Sequence, residues 1–497
     1  MTGPARFLVL NRTVELDGSK GWNDPDMEKL NLYNLHYFDD LNAVDAGKRV
    51  DWHYALIERW ISENPPAEGV GWDPYPLSLR MVNWIKWAQS GNRLSSAALH
   101  SLAIQARYLA RRLEFYLLGN HLFANAKALV FAGCLFEGDE AAVWRQLGMD
   151  ILSREIPEQL LADGGHFERS TMYHSLALDD MLDLVNLLNA YPDAFDKWSE
   201  IVSEWSGLVA NMTRWLAAMC HPDGDISFFN DAATGIAPAP GELFSYADRL
   251  GIRHEDQMSD RVVWLKASGY IRVQRGDAVL IADVAPIGPD YLPAHAHADT
   301  LSFELSVGGK RLVVNSGTSR YGLGKQREYE RSTAAHSTME INNESSSEVW
   351  AGFRVGRRAY PFDVAIEESV GGVIISAAHT GYRRLPGHPV HRRQWALGNQ
   401  SLEVSDSIEG DYSWAVARYF LHPDTEIRTD LGRDSAVLGD TRCHWTSTGA
   451  NLAIVASQYF PEFGLEVPSS CIELNAAERN IAFHLSWCEA SRMESPH

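Results

Sequence analysis

Cysteine is scarce in this chain, with five residues among 497. Cys134, Cys220, Cys443, Cys471 and Cys488 are scattered, odd in number and form no CxxC pair. That argues against a disulfide framework or a cysteine zinc site. No apolar run reaches the roughly 20 residues needed to span a bilayer, so no membrane span is expected. The opening stretch MTGPARFLVLNRTVELDG is apolar too briefly for a signal peptide. A cytoplasmic protein is therefore expected, or a periplasmic one if a leader has been removed. Basic residues are outnumbered, 44 against 65 acidic ones, for a formal net charge of −21. A nucleic-acid binder would normally carry a basic surface, so that class is disfavoured.

What is present is ordinary globular composition, 45% hydrophobic, and length enough for two or three domains. From about Asp51 to Leu250 apolar residues recur at helical spacing. WHYALIERWISENPP, LSLRMVNWIKWAQSGN, SAALHSLAIQARYLARRLEFYLLGN and STMYHSLALDDMLDLVNLLNAYP each end on Gly-Asn or Pro signals. Consecutive helices with short loops suggest stacked hairpins in a solenoid or toroid. After Arg261 short β-rich runs take over, such as GYIRVQRGDAVLIADV and TLSFELSVGGKRLVVNSG. They predict antiparallel sheets, most simply a sandwich. The change falls in the polar stretch Leu250–Arg261. The expected division is an N-terminal extension (1–50) packing on a helical domain (51–255), then a β domain (262–497).

Four constellations carry candidate chemistry. In LGNHLFANAKALVFAG, Asn120, His121 and Asn125 precede an apolar helix, and Asn120 reads equally well as a helix cap. In DGGHFERSTMYHSLALDD, Ser170 or Thr171 can cap a helix that has Tyr173 and His174 in its first turn. The positive end of the helix would there stabilise a phenolate; the plainer alternative is a buried, hydrogen-bonded tyrosine. In PAHAHADTLSFELSVGG, a strand read from His295 onward places His295, His297 and Asp299 on one face with Leu301, Phe303 and Leu305. A polar site at the strand's end would thus run into a packed interior. The fourth segment, RLVVNSGTSRYGLGKQREYERSTAAHSTMEIN, is long, polar and glycine-containing, with Asn315, Arg327, Arg331 and His336. A basic set follows: Arg354, Arg357, Arg358, Arg383, Arg384, Arg392 and Arg393. Arginines there match carboxylate or sulfate groups, or form a solvated charged face.

These segments, in this order, resemble the heparinase II/III family of polysaccharide lyases, and the likeness covers nearly the whole chain. LYNLHYFDDL and YPLSLRMVNWIKW are similar to its helical region. Asn120-His121, DGGHFERSTMYH, HAHADTLSFEL and NSGTSRYG…RSTAAHSTMEIN are similar to its core motifs. NSGTSRYG and SSSEVWAGFRVGRRA are closest in look to members found with bacterial surface-polysaccharide genes. The resemblance implies an incomplete (α/α) toroid followed by an antiparallel β-sandwich, a multidomain α+β fold.

The implied reaction is β-elimination at a uronic acid, with an acidic polysaccharide or oligosaccharide as partner and a homodimer as the assembly to look for. Carried over by position, Asn120 would neutralise the substrate carboxylate with His121. Tyr173 would be the general acid, and the base too where the geometry is syn. His295 would be the base from the other face, or a neutraliser. Arg80, Trp84, Glu168, His174, Asn230, Arg327 and Arg331 are the candidate substrate-binding residues. The resemblance also implies one structural zinc on His297, Asn315 and His336. Asn315 stands where aspartate is expected, and a neutral amide is a poorer ligand. Asp299 is another candidate ligand, and without metal Asn315 would hydrogen-bond the histidines. Two other functions stay open. One is a glycoside hydrolase using a carboxylate pair drawn from Asp223, Asp225, Asp231 and Glu168. The other is a non-catalytic glycan-binding accessory of polysaccharide biosynthesis, holding sugar on Trp72, Trp84 and Trp87.

Overall fold

The computed structural model describes residues 1–252, 262–430 and 433–489. The chain divides into two compact units. One holds Met1–Gln159 and Asp180–Ser206; the other holds Leu160–Asp179 and the residues from Gly207 onward. The expected boundary, Leu250–Arg261, falls largely on residues 253–261, which lie outside the described residues.

The first unit is helical. In Val50–Glu63 the buried residues are His53, Leu56, Ile57 and Trp60, an i, i+3, i+4, i+7 stripe that faces the interior. Pro74–Gln89 starts with proline at its first position, where the missing N–H costs nothing. Ser95 caps Ser96–Leu109 by accepting from the Ala98 N–H. The helices Gly119–Leu135 and Asp139–Gln159 follow. Aromatic rings fill the interior: Trp60 meets Trp84 edge-on at 5.8 Å and Trp72 at 5.9 Å. Among the first fifty residues, the helix Lys29–Tyr37 is tied to Pro74–Gln89 by Asn83, whose Nδ2 donates to the Tyr37 carbonyl (2.9 Å).

In the second unit two antiparallel sheets share one apolar core. The nine-stranded sheet runs, in spatial order, Ala450–Tyr459, Val467–Ala476, Ala415–Leu421, Lys310–Val314, Phe303–Val307, Ala278–Asp283, Tyr270–Arg275 and Val262–Leu265. Met339–Ile341 pairs beside Ala415–Leu421. The eight-stranded sheet runs Pro361–Glu368, Val373–His379, Val390–Leu397, Ser401–Glu409, Asn480–Glu489, Thr441–Thr448, Arg433–Leu438 and Glu426–Asp430. Leu280, Phe303, Leu305 and Tyr419 from the first sheet and Ile375, Trp395, Val404 and Phe483 from the second belong to the common core. Among the described residues, no helix is long and apolar enough to cross a membrane.

The strand Phe303–Val307 is buried on both faces. Phe303, Leu305 and Val307 point into the core. On the other face, Glu304 and Ser306 each bond to a nitrogen of His221 at 2.7 Å. Glu304 also accepts the backbone N–H groups of Phe228 (3.1 Å) and Asn315 (2.9 Å). This buried acid thereby satisfies donors that burial would otherwise leave unpaired.

Candidate active site

The strand expected from His295 onward begins only at Phe303. His295, His297 and Asp299 lie in an irregular loop before it, and Leu301 takes a left-handed backbone conformation (φ 63°) that ends any extended alternation. Hydrogen bonds to a neighbouring loop hold the segment. The Asn230 N–H donates to Asp299 (2.9 Å), Asn230 Oδ1 accepts the His297 N–H (3.0 Å), and the Asp231 N–H donates to the His295 carbonyl (2.9 Å). Asn230 is itself left-handed, at φ 58°, a conformation asparagine tolerates better than most residues. Arg331 donates to the Ala296 carbonyl from two nitrogens, at 3.1 and 3.0 Å. Asn230 and Arg331, expected to bind substrate, are thus the clamps of the histidine loop.

Asp231 is the centre of the cluster. It is fully buried and accepts from His295 Nδ1 (2.9 Å), His297 Nε2 (2.7 Å) and both terminal nitrogens of Arg327, one of them at 2.7 Å. Burial opposes its charge, but Arg327 and the imidazole hydrogen bonds outweigh burial and hold the carboxyl well below its usual range. With both oxygens saturated by donors, Asp231 has no capacity left to act as an acid or a nucleophile. Its effect on His295 is specific: the Nδ1 proton is committed to the carboxylate, and Nε2 is the remaining nitrogen. The His295 side chain is 13% exposed, and its Nε2 lies 3.9 Å from Glu168.

Tyr173 packs on that imidazole, with ring centroids 4.0 Å apart. It sits in the first turn of Thr171–Ala190, where Ser170 Oγ accepts the Tyr173 N–H (3.1 Å), the expected cap. Its hydroxyl is 2.9 Å from the Tyr321 hydroxyl. The expected stabilisation of a phenolate is not realised. Burial, followed by Tyr321, Asp231 and Glu168, pushes the Tyr173 phenol well above its usual range. The group is therefore held protonated, as a proton donor. The two rings are tilted by 34° to each other. Tyr321 went unrecognised in the sequence, where its only signal is an aromatic residue in the glycine-containing loop NSGTSRYG. Arg327 lies over its ring at 4.9 Å.

Other expected residues have structural tasks. His174 accepts the His166 N–H (3.2 Å) and donates to the Met212 carbonyl (3.0 Å). In the first unit, Arg80 is fully buried, bonded to Gln105 (3.0 Å) and 3.8 Å above the Trp60 ring. Trp72, Trp84 and Trp87 are buried in the same aromatic packing, so they present no face to a sugar. Asp223 is bound by Arg311 at 2.7 and 3.1 Å. Most of the basic set is paired: Arg357 with Glu348, Arg358 with Asp290, Arg384 with Glu344, Arg392 with Asp363 and Glu409, and Arg393 with Asp406.

The expected zinc ligands only partly converge. His297 Nδ1 faces His336 Nε2 at 3.1 Å, and the other His336 nitrogen donates to the Ser332 carbonyl (2.7 Å). Asn315 turns its amide to other partners. Its Nδ2 donates to the Phe228 carbonyl (3.0 Å) and Ser302 Oγ (3.3 Å), and its Oδ1 accepts the Ser337 N–H (3.0 Å). Asp299 is engaged by Asn230. Among the described residues, no three His, Cys, Asp or Glu side chains are grouped to hold a metal. The residues therefore do not fit a three-ligand zinc set. Asn315 also does not bridge the histidines; it braces the backbone next to His336.

Asn120 and His121 open the helix Gly119–Leu135 in the first unit. Asn120 is not its cap, because the helix starts one residue earlier, after Leu118. His121 Nδ1 is 3.1 Å from Glu114 Oε1, and its ring stacks on Tyr75 at 4.3 Å.

Residues 34–239 match the heparinase II/III N-terminus and residues 257–487 the heparinase II/III-like C-terminal domain. A heparin-sulfate lyase of Bacteroides stercoris is 28% identical over 337 residues, 62% of this chain and 46% of the lyase. The chain thus spans about half the length of that relative. The FtsZ-localized protein C of Caulobacter vibrioides is 25% identical over 482 residues, 90% of this chain and 79% of that protein. The crystal structure of a heparinase III matches with a TM-score of 0.71 and 17% identity, covering 95% of this chain and 78% of that one. This likeness shows the fold, an incomplete (α/α) toroid followed by an antiparallel β-sandwich. With both of its domains matched in order, the chain belongs to the heparinase II/III family.

Proposed function

We propose that the protein is a polysaccharide lyase that cleaves a uronate-containing glycan by β-elimination. The observation that carries this reading is a phenol held protonated, Tyr173, packed against an imidazole, His295, whose Nδ1 is committed to Asp231. His295 Nε2 removes the C5 proton. The electrons of the C5–H bond form the C4–C5 double bond as the C4–O bond breaks, and Tyr173 gives its proton to the departing oxygen. The products are a 4,5-unsaturated uronate and a new hydroxyl end, and no water is consumed. Asp231 stabilises the imidazolium that forms, and Tyr321 hydrogen-bonds the phenolate left behind. Return of the proton from His295 to Tyr173 resets the pair. General acid–base catalysis of this kind contributes roughly 10²–10⁴-fold.

Acid and base packed together address one side of a sugar ring. That suits a uronate whose C5 hydrogen and C4 oxygen share a face, as in glucuronate. Asn120 and His121 take the role of neutralising the substrate carboxylate. Of the carboxylates a hydrolase would draw on, Asp231 is unable to serve in a pair, because its oxygens are taken by His295, His297 and Arg327. Incubation with a panel of uronate polysaccharides, followed by ultraviolet absorbance, tests the reading. Absorbance from a 4,5-unsaturated product that is lost in Tyr173→Phe supports it; new reducing ends without absorbance overturn it.

A second reading is favoured by the Caulobacter relative, matched along most of both chains. That protein is named for localisation with FtsZ, and a non-enzymatic role of that kind would need no turnover. Co-sedimentation with FtsZ filaments, with no product from any glycan, would favour it.

A further inference from the structure

The turn before Asn120 is inside out. Phe115, Tyr116 and Leu117 are exposed, at 52%, 76% and 40%, while Glu114 beside them is buried at 3%. Apolar burial would favour the reverse arrangement, and a buried acid among exposed apolar residues calls for a reason. The turn is also strained. Leu118 and Gly119 are consecutive left-handed residues, at φ 61° and 56°, and for leucine that conformation is costly. The Leu117 and Leu118 N–H groups donate to the Glu114 carbonyl (2.9 and 3.0 Å), and Gln159 donates to the Gly119 carbonyl (3.1 Å).

The buried carboxylate has two side-chain partners. Oε1 faces His121 Nδ1 at 3.1 Å, and Oε2 accepts from Asn125 Nδ2 at 3.1 Å. Asn125 Oδ1 in turn accepts the Glu114 N–H (2.9 Å), and Asn125 Nδ2 also donates to Ser78 Oγ (3.1 Å). Asn125 therefore locks the carboxylate in place. Tyr75 supports both residues at the start of the helix: its ring stacks on His121 and its hydroxyl is hydrogen-bonded by the Asn120 side chain. The His121 side chain remains 29% exposed.

We propose that Glu114 is a positioning residue for the carboxylate-binding step, which rests on the lyase reading. It accepts the Nδ1 proton of His121 and supplies the counter-charge for a doubly protonated ring. The Nε2–H then donates to the uronate carboxylate, with Asn120 held beside it by Tyr75. A carboxylate–imidazole pair oriented in this way fixes which nitrogen meets the ligand.

The test uses the full chain with Glu114→Gln and Glu114→Asp, two uronate polymers and one spectroscopic readout. On heparan sulfate, Glu114→Gln is expected to raise KM at least tenfold. On its carboxyl methyl ester, which carries no charge to neutralise, KM is expected to change less than twofold. Glu114→Asp, which keeps the charge, is expected to recover most of the affinity for the acid form. An equal loss on acid and ester, or no loss on either, would overturn the proposal. Nitrogen-15 spectra of the ligand-free protein should show the His121 Nδ1 proton in the wild type and its redistribution to Nε2 in Glu114→Gln. If no polymer is cleaved by the wild type, the lyase reading fails. The spectra then decide alone, and an Nδ1 proton indifferent to Glu114→Gln would overturn the positioning role.

Discussion

The β unit contains two buried clusters built from the same parts. At Asp231, an arginine (Arg327) and a histidine (His297) bind the carboxylate, and a second histidine (His336) lies behind the first at 3.1 Å. At Asp406 the arginine is Arg393 (2.7 and 2.9 Å), the histidine is His391 (2.6 Å), and His379 stands behind it at 3.2 Å. The Asp406 cluster is sealed, with all four side chains essentially unexposed. Its hydrogen-bond count closes with neutral rings. The Gly381 N–H donates to His379 Nδ1 (3.1 Å), His379 donates to His391, and His391 donates to Asp406. Arg393 also grips the carbonyls of Leu301 (3.0 Å) and Ser337 (2.8 Å), bracing the chain beside Asp299 and His336. The Asp231 cluster differs in two ways. With His297 Nε2 donating to Asp231 and His336 Nδ1 donating to Ser332, neutral rings leave no proton between His297 and His336. His295, partly exposed, is added in contact with Tyr173. Carboxylate, arginine and imidazole together make scaffolding by default. On the lyase reading proposed above, a third imidazole with solvent access and a phenol beside it turn the same set toward proton transfer.

Breaking that added contact should have the largest effect. Tyr173→Phe is expected to lower kcat about 10³-fold with an unchanged melting temperature; activity within tenfold of wild type would remove Tyr173 from the chemistry. Exchanging the two carboxylates comes next. Asp231→Asn is expected to cost about 10²-fold in kcat as well as stability, because His295 loses its acceptor. Asp406→Asn is expected to cost about 3–5 kcal/mol of stability, the usual result of leaving a buried arginine without its partner. Its kcat per folded molecule should stay within about twofold. Equal kcat losses in both variants, measured after correction for the folded fraction, would erase the distinction between the clusters.

Acid should act on both clusters. Burial lowers the pKa of His297 to about 4 and that of His336 to about 3, and lowers those of His379 and His391 as well. A neutral buried histidine binds fewer protons than its unfolded counterpart, whose pKa is about 6.5. The stability these groups contribute is therefore present above pH ~6.5 and is lost as pH falls toward the folded values. Melting temperature should decline steadily from pH 7 to pH 4, and a flat profile would mean the rings are not held neutral. The smallest effect concerns metal. Zinc is expected to leave the melting temperature of the wild type unchanged, while Asn315→Asp should bind zinc measurably by equilibrium dialysis.

The sequence made the helices legible because their apolar stripes and Gly-Asn or Pro stops are local signals, as in Val50–Glu63. It misled at His295–Leu305 because alternation alone cannot reveal that Leu301 is left-handed. Trp72, Trp84 and Trp87 looked like sugar platforms, yet rings at helical spacing in an apolar stretch pack against one another first. Tyr173 and His295 were legible through their motifs. The centre of the cluster was not: Asp231 meets His295 across 64 residues and Arg327 across 96, and no local pattern encodes such partners. The basic set looked free for the same reason, since its acidic partners lie on other turns and strands.

The most direct test of the proposed chemistry is to cleave a glucuronate polymer in water enriched in oxygen-18 and weigh the new ends. Elimination uses no water, so the new non-reducing end should be an unsaturated uronate, and the reducing end, weighed before its anomeric oxygen exchanges with solvent, should carry natural oxygen. A saturated uronate at the non-reducing end, with heavy oxygen at the freshly formed reducing end, would mean hydrolysis and would contradict the roles assigned to His295 and Tyr173.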